Sequence, residues 1–449
     1  MYWPLVGIVP TLQTFLAAYR EVFRRESGFE PVSRYINGLL LSANKTLQGI
    51  DAQIVWTEGK SVSRRAMHEA VFEAGWSREP LMQVHRQTIA PQYQGRGRVV
   101  ISVDWTFAYH PYSEQIYGAK EAYDYVNRRW SRYQTVVTAA VANPHRVDGL
   151  AVAVQQPNYQ KEELAYLQMT QRESYEQMAP VQERLIELLH YHQHQRSYRK
   201  RTEIAVDIVR QIEAEGHYPQ ADYAFDQGVL SHPLTELIES CGKHWVSEIE
   251  RTRLMVWKGR WQAVQTVAQQ LKQEHPEAFQ PKQVRCRNGE IRAIWAFTKV
   301  VRLKKYGRKR LVIVHETADL SDAPRFLLTD ALHWDAARTF STWSFRWPVE
   351  TFDEFSKQLV GFEAAQLRNE EAVKRHFCLS CIAQSALQHA SCRGQKSERF
   401  DFAAQTQQSI GQRLYTLSRE AVQQVVELSQ GLLMQGNSVE QIMEVLMPA

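Results

Sequence analysis

Cysteine is scarce in this chain: Cys241, Cys286, Cys378, Cys381 and Cys392 are the only five in 449 residues. They are too few and too scattered to frame a disulfide-stabilised fold. No apolar run is long enough to cross a bilayer, and the first residues lack a basic stretch leading into an uninterrupted apolar one. Both absences lead us to expect a cytoplasmic protein with no membrane partner. An excess of one charge is also missing, since 54 basic residues stand against 49 acidic ones, giving a net charge of +5 and a pI near 8.8. That balance permits a polyanionic partner without requiring one, so local clustering of charge tells more than the total.

What is present is a hydrophobic fraction of 44% over a length sufficient for two to four domains with real cores. Three acids stand out by their settings. Residues 99–103 (VVISV) are β-branched or small and run straight into Asp104, as a strand ending on an acid would. A short hydrophobic approach leads to Asp226, and Gly228 follows, where a ligand or another segment could come close. Glu350 falls in the first turn of a predicted helix opened by Pro348. Along that helix Val349, Phe352, Phe355, Leu359 and Phe362 recur on one stripe, and Glu350, Glu354, Lys357 and Gly361 on another.

Lys357 lies seven residues after Glu350, two helical turns on, and Arg346 lies four before it. Both can therefore reach phosphates beside an ion that Glu350 holds. Read alone, the segment is equally an amphipathic helix with a solvated charged face. Three clustered carboxylates shift that balance: two unit charges ~4 Å apart repel by roughly 4 kcal/mol at an effective dielectric of ~20. Such a cluster persists if it titrates or holds divalent cations, and Mg²⁺, with Mn²⁺ as a substitute, suits an all-oxygen site.

With Asp104, Asp226, Arg346, Glu350 and Lys357 at these spacings, the chain resembles the DDE transposases of bacterial insertion sequences, in the superfamily with a Tyr-Arg-Glu-Lys signature. The likeness spans roughly residues 99–390 and departs at the tyrosine position, which is Trp343. It implies an α/β chain with an RNase H-like, retroviral-integrase-like catalytic core interrupted by a mostly β insertion. It further implies that Asp104, Asp226 and Glu350 are catalytic and bind two Mg²⁺ ions, and that Arg346, Lys357 and Trp343 contact DNA. The partners implied are double-stranded DNA, as terminal inverted repeats and target, and a second copy in a synaptic homodimer. The location implied is the bacterial cytoplasm at the nucleoid.

The expected organisation is a helical region 1–95, core segments 96–250 and 334–392, an insertion 251–333 and a helical C-terminal region 393–449. In the first region we expect helices over 11–25 and after Pro31 and Asn44, with a break at 28–31, then a pair over 61–74 and 77–89 with Ser61 and Ser77 as N-caps. The pair carries Arg64, Arg65, His68, Arg78, His85 and Arg86, and could be a helix-turn-helix that binds element ends. Residues 92–98 form a basic linker. Strands are predicted over 134–142, 147–155 and 244–249, with helices over 201–215 and from about 230.

Between Asp226 and Glu350 lie 123 residues, more than the core needs. There, residues 281–314 alternate as a β-hairpin whose turn carries Lys299, Arg302, Lys304, Lys305, Arg308, Lys309 and Arg310 around Gly307, a candidate DNA-backbone contact. The same cations could instead serve to keep an edge soluble. Trp257, Trp261 and Trp295 are either stacking platforms or core.

Cys378, Cys381, His376, His389 and Cys392 suggest zinc, but the interleaved apolar residues favour a buried helix. His190, His192 and His194 run into Arg196, Arg199, Lys200 and Arg201, which favours a polar or DNA-facing segment over a metal tract. The function expected is cut-and-paste transposition. The alternatives are a catalytically silent, domesticated DNA-binding descendant and a glycosidase, the latter having no use for an Arg-Glu-Lys set.

Overall fold

The computed structural model describes residues 3–56, 61–95, 97–113, 115–158, 198–287, 289–390 and 410–447, with the isolated positions 165 and 168. Arg96, His190, His192, His194, Arg196, Cys392 and the break expected at 393–397 lie outside the described residues.

The N-terminal region is helical, in shorter pieces than its periodicity predicts. Helices α1 (Pro10–Leu16), α2 (Glu26–Leu41), α3 (Leu47–Asp51), α4 (Arg64–His68) and α5 (Arg78–Ile89) occupy it. The helix expected over 11–25 changes to 3₁₀ winding after Leu16, and the break expected at 28–31 is absent. Helix α2 runs through Pro31, which is buried and supplies no N–H to the helix ladder. The capping residue of α4 is Ser63, whose hydroxyl accepts from the Ala66 N–H, rather than Ser61. Ser77 sits at the N-cap position of α5 but spends its hydroxyl on Glu79.

The centre is a mixed sheet. Its first strands are β1 (Val100–Tyr109), β2 (Lys120–Asp124), β3 (Arg129–Asn143) and β4 (Arg146–Gln155). After α6 (Arg201–Glu215) come β5 (Asp222–Phe225), α7 (His232–Ser240) and β6 (Trp245–Glu248). Strand β4 pairs antiparallel with β3, β3 antiparallel with β1, and β1 parallel with β5, which is parallel to β6. The β-branched residues predicted to form β1 are its buried half: Val100, Ile101 and Val103 have no exposure, and the strand leaves the core at Asp104.

The segment 251–333 is mostly β, as expected, with β7 (Leu254–Trp257), β8 (Arg260–Ala263), α8 (Val264–Glu274), β9 (Gln280–Arg285), β10 (Ile291–Leu303), β11 (Gly307–His315) and β12 (Arg325–Thr329). It continues the same sheet, because β12 pairs antiparallel with β6 and β11 with β12. The result is one 12-stranded sheet among the described residues, running β2-β3-β1-β5-β6-β12-β11-β10-β7-β8, with β4 on β3 and β9 on β10.

Helices α9 (Ala336–Trp343), α10 (Trp347–Leu359) and α11 (Glu370–His389) return to the core, and α12 (Ile410–Met434) and α13 (Val439–Leu446) follow, broken at Gly436 as predicted. Helix α11 is buried for most of its length against β4 and the N-terminal helices. Cys378 and Cys381 are core residues within it, and His376 is held between the Tyr35 hydroxyl at 2.9 Å and the Gly361 carbonyl at 3.0 Å, which occupies both ring nitrogens that zinc would need. No helix among the described residues is long and apolar enough to cross a membrane.

Candidate active site

Parallel pairing brings the first two acids together. Val103 lies opposite Phe225, so Asp104, midway along β1, and Asp226, the residue after β5, stand side by side, where strands are about 4.8 Å apart. Strand β1 runs on to Tyr109, so Asp104 does not end its strand as expected. The third acid arrives from the other side of the sequence on α10. Pro348 is the second residue of that helix and Glu350 lies in its first turn, as predicted. Arg346, just before the helix, hydrogen-bonds the Glu350 carboxylate and places the same guanidinium nitrogen 4.0 Å from Asp104 Oδ2.

The Asp104 side chain is 19% exposed. Burial pushes its carboxyl up to about 6; the Trp105 N–H and Arg346 oppose that rise, and the charges of Asp226 and Glu350 reinforce it. Asp226 and Glu350 are therefore both within electrostatic reach of Asp104, and the Arg346 guanidinium lies beside Asp104 and Glu350. Among the described residues no three metal-ligating side chains are arranged to grip an ion as they stand. The donor set nonetheless fits magnesium or manganese: all three members are carboxylates, so the all-oxygen chemistry those ions prefer is available without a thiol or imidazole in the set.

Two further acids escaped the sequence analysis. Asp353 lies between Glu350 and Lys357 on the helix and is buried; the Thr138 hydroxyl donates to Oδ2 at 3.2 Å, while Oδ1 has no partner. Burial and the neighbouring Asp104 push its carboxyl far above the usual range. Its spacing from Glu350 is the signal that could have revealed it. Glu354, assigned to that stripe instead, is exposed and bonds Gln358. Glu248, at the end of β6, has its carboxyl raised by burial and then by Asp226, with Arg325 Nη1 3.9 Å away as an offset. An acid following a short, mostly apolar run is the feature that singled out Asp104 and Asp226, and Glu248 follows one too.

The flanking residues are placed unevenly. The Lys357 ammonium sits 5.6 Å over the Tyr109 ring and 3.9 Å from Glu363, two turns along α10 as expected. Trp343 is buried, with the Arg346 guanidinium 5.6 Å and that of Arg325 5.2 Å over its ring. Together with Phe340, Trp347 and Arg287 these side chains line a cavity of about 380 Å³. Gly228 admits the indole of Trp105, not a ligand: a Cβ there would stand 2.8 Å from Trp105 Cζ2.

Of the hairpin expected over 281–314, residues 281–285 belong to a further strand, β9, that pairs with β10; from 291 onward the hairpin forms as β10–β11, turning at Gly307, whose φ of +71° favours glycine. Arg302, Lys304, Lys305 and Arg308 are exposed on it. Two of the proposed contacts are committed elsewhere: Lys309 pairs with Glu239 at 2.8 Å and Arg310 donates to the Leu332 carbonyl; Lys299 is exposed, with its ammonium 4.5 Å over the Trp257 ring. Trp257 is core and Trp295 half-buried, whereas Trp261 is exposed.

The helix-turn-helix expectation fails in its second helix. Leu81, Met82, His85, Arg86 and Ile89 of α5 all face inward. Arg86 is 1% exposed and bonds both Glu215 oxygens at 2.6 Å and the Leu150 carbonyl at 2.9 Å, so it has nothing left to offer a phosphate. Arg78 pairs with Glu371 at 2.9 Å. The basic positions share the apolar stripe of α5, and the core took both. Arg64 and Arg65 remain exposed, the latter beside Glu69. No protein-family model and no curated protein matches the chain.

Proposed function

We propose that this chain is a DNA transposase of the Tyr-Arg-Glu-Lys superfamily, which cleaves phosphodiesters at element ends and joins them to a target. One observation supports the reading: Asp104 on β1 and Asp226 just after the parallel strand β5 lie side by side, and Arg346 links Asp104 to Glu350 at the start of α10. The order β4-β3-β1-β5-β6, antiparallel and then parallel, with acids at β1 and just after β5, supports an RNase H-like core. The insertion between Asp226 and Glu350 is mostly β, which agrees with the resemblance.

Asp104, Asp226 and Glu350 would hold two Mg²⁺ ions, which when bound activate an attacking water or 3′-hydroxyl and stabilise the leaving oxygen. The protein's own groups do the positioning. Arg346 holds the acids in register and can turn to a phosphate as Glu350 is taken up, and Lys357 sets a phosphate two turns along α10. A second copy would present the other inverted end, and a cytoplasmic site at the nucleoid follows from such a substrate.

Asp226→Asn tests the assignment, with a duplex from the DNA flanking the coding region as substrate. Expected are unchanged end binding and a fall in Mg²⁺-dependent nicking of at least about a thousandfold. Nicking at the wild-type rate would overturn it. Wild-type protein that binds ends and never nicks with Mg²⁺ or Mn²⁺ would favour a silent, domesticated descendant.

A further inference from the structure

A two-stranded ribbon that sequence analysis did not anticipate projects from the sheet beside this site. Strand β2 pairs with the start of β3, Tyr123 opposite Trp130 and Asp124 opposite Arg129. Its tip is apolar and basic. Tyr125, Val126 and Trp130 are 80%, 77% and 67% exposed, and Arg128 and Arg129 are exposed with them. Between Ala122 and Trp130 the sole acid, Asp124, is fully buried.

Asp124 makes this tip rigid. Oδ1 accepts from the Val126 and Asn127 N–H groups at 2.9 and 3.2 Å, and Oδ2 from the Tyr109 hydroxyl and the Asn127 amide at 2.8 and 2.7 Å. Arg128 is held at a φ of +52°, a conformation costly for a residue other than glycine, which persists only where its surroundings enforce it. Tyr123 packs edge-on to both Tyr125 and Trp130, at 5.0 and 6.1 Å. A large apolar and cationic surface is thus built and fixed in solvent, at odds with what a merely soluble turn needs.

Its anchor leads back to the proposed site. Tyr109, which holds Asp124, carries the Lys357 ammonium over its ring. Half-buried Trp105, Phe107, Tyr109 and Tyr133 mark the sheet between Asp104 and the ribbon, with Phe107 and Tyr133 4.2 Å apart. Thr138 lies opposite Asp104, and Arg129 is nine residues further out on β3. At about 3.4 Å per residue that is about 30 Å, the length of about nine base pairs.

We propose that the β2–β3 ribbon is a second DNA contact, which grips the duplex about nine base pairs from the bond presented to Asp104, Asp226 and Glu350. This rests on the functional reading above. A two-stranded ribbon fits the major groove, two arginines meet the phosphates on either side, and the aromatic side chains cover sugars and base edges.

The variant Y125S/R128S/R129S/W130S changes exposed residues only and should keep the wild-type melting curve. Fluorescence anisotropy would compare end duplexes that stop five base pairs, or extend fifteen, past the cleaved bond on each side. Expected is at least tenfold tighter wild-type binding to the long duplex, an advantage lost in the variant, with equal affinities of the two proteins for the short one. Hydroxyl-radical protection about nine base pairs out should vanish likewise. A variant that keeps the full long-duplex advantage overturns the proposal, as does one that changes self-association alone. Wild-type protein that binds neither duplex overturns the functional reading itself.

Discussion

Arg346 lies between two carboxylates, Glu350 and Asp104, and still leaves the latter titrating near 6. Without divalent cations the ionised Asp104 is therefore a burden on the fold. Its folded value lies above the ordinary 3.8, so the burden is absent below about pH 4, grows as pH rises, and is complete above about 6. Asp104→Asn should accordingly stabilise the chelator-treated protein by roughly 1 to 3 kcal/mol at pH 7.5, with no gain near pH 4. Thermal melts at the two pH values check this, and destabilisation at pH 7.5 would contradict it. The four-residue and seven-residue spacings around Glu350 were legible because a helix translates sequence distance directly into position. Asp353 was legible only as an acid one turn past Glu350; that its carboxyl is buried depends on the packing of α10 against Thr138.

Strand alternation was legible in the same way for whole elements. Residues 281–314 declare a hairpin, and its glycine turn stands where expected. Alternation cannot say which cations the neighbouring chain will claim, because Glu239 and the Leu332 carbonyl come from distant segments. The seven basic residues therefore divide by role. Neutralising Arg302, Lys304, Lys305 and Arg308 together should flatten the salt dependence of DNA binding by nearly one log unit per log of salt for each phosphate that the hairpin no longer neutralises. Arg310→Met should leave that slope unchanged and instead lower stability by about 1 to 3 kcal/mol, since it strips donors from a part-buried carbonyl. Anisotropy titrations between 50 and 200 mM salt separate the two groups, and an unchanged slope in the fourfold variant would remove the hairpin from the interface. The continuation of the core sheet into this insertion was equally illegible, because the β6–β12 pairing joins segments about 80 residues apart.

At the scale of the molecule, the sequence suggests a string of domains, whereas one contiguous core links the N-terminal helices, the sheet and α11. The junction is polar as well as apolar. Arg375 donates to the Ala74 and Trp76 carbonyls at 2.7 Å, His85 bonds the Gly149 carbonyl at 2.9 Å, and Arg86 joins α5 to α6 through Glu215. Composition marks none of this, since an arginine on an amphipathic helix looks the same whether it meets a phosphate or a buried glutamate. A buried pair loses heavily when one partner goes, because the remaining charge keeps its desolvation cost without its compensation. Arg86→Met should therefore cost about 3 to 5 kcal/mol, while Arg65→Met, at an exposed pair, should leave the melting curve essentially unchanged. Because the junction is shared, the loss should lower a single unfolding transition that carries the N-terminal helices and the sheet together. Calorimetry that instead resolves an early, separate melting of residues 1–95 would mean that the helices are an independent domain, as their sequence first suggests.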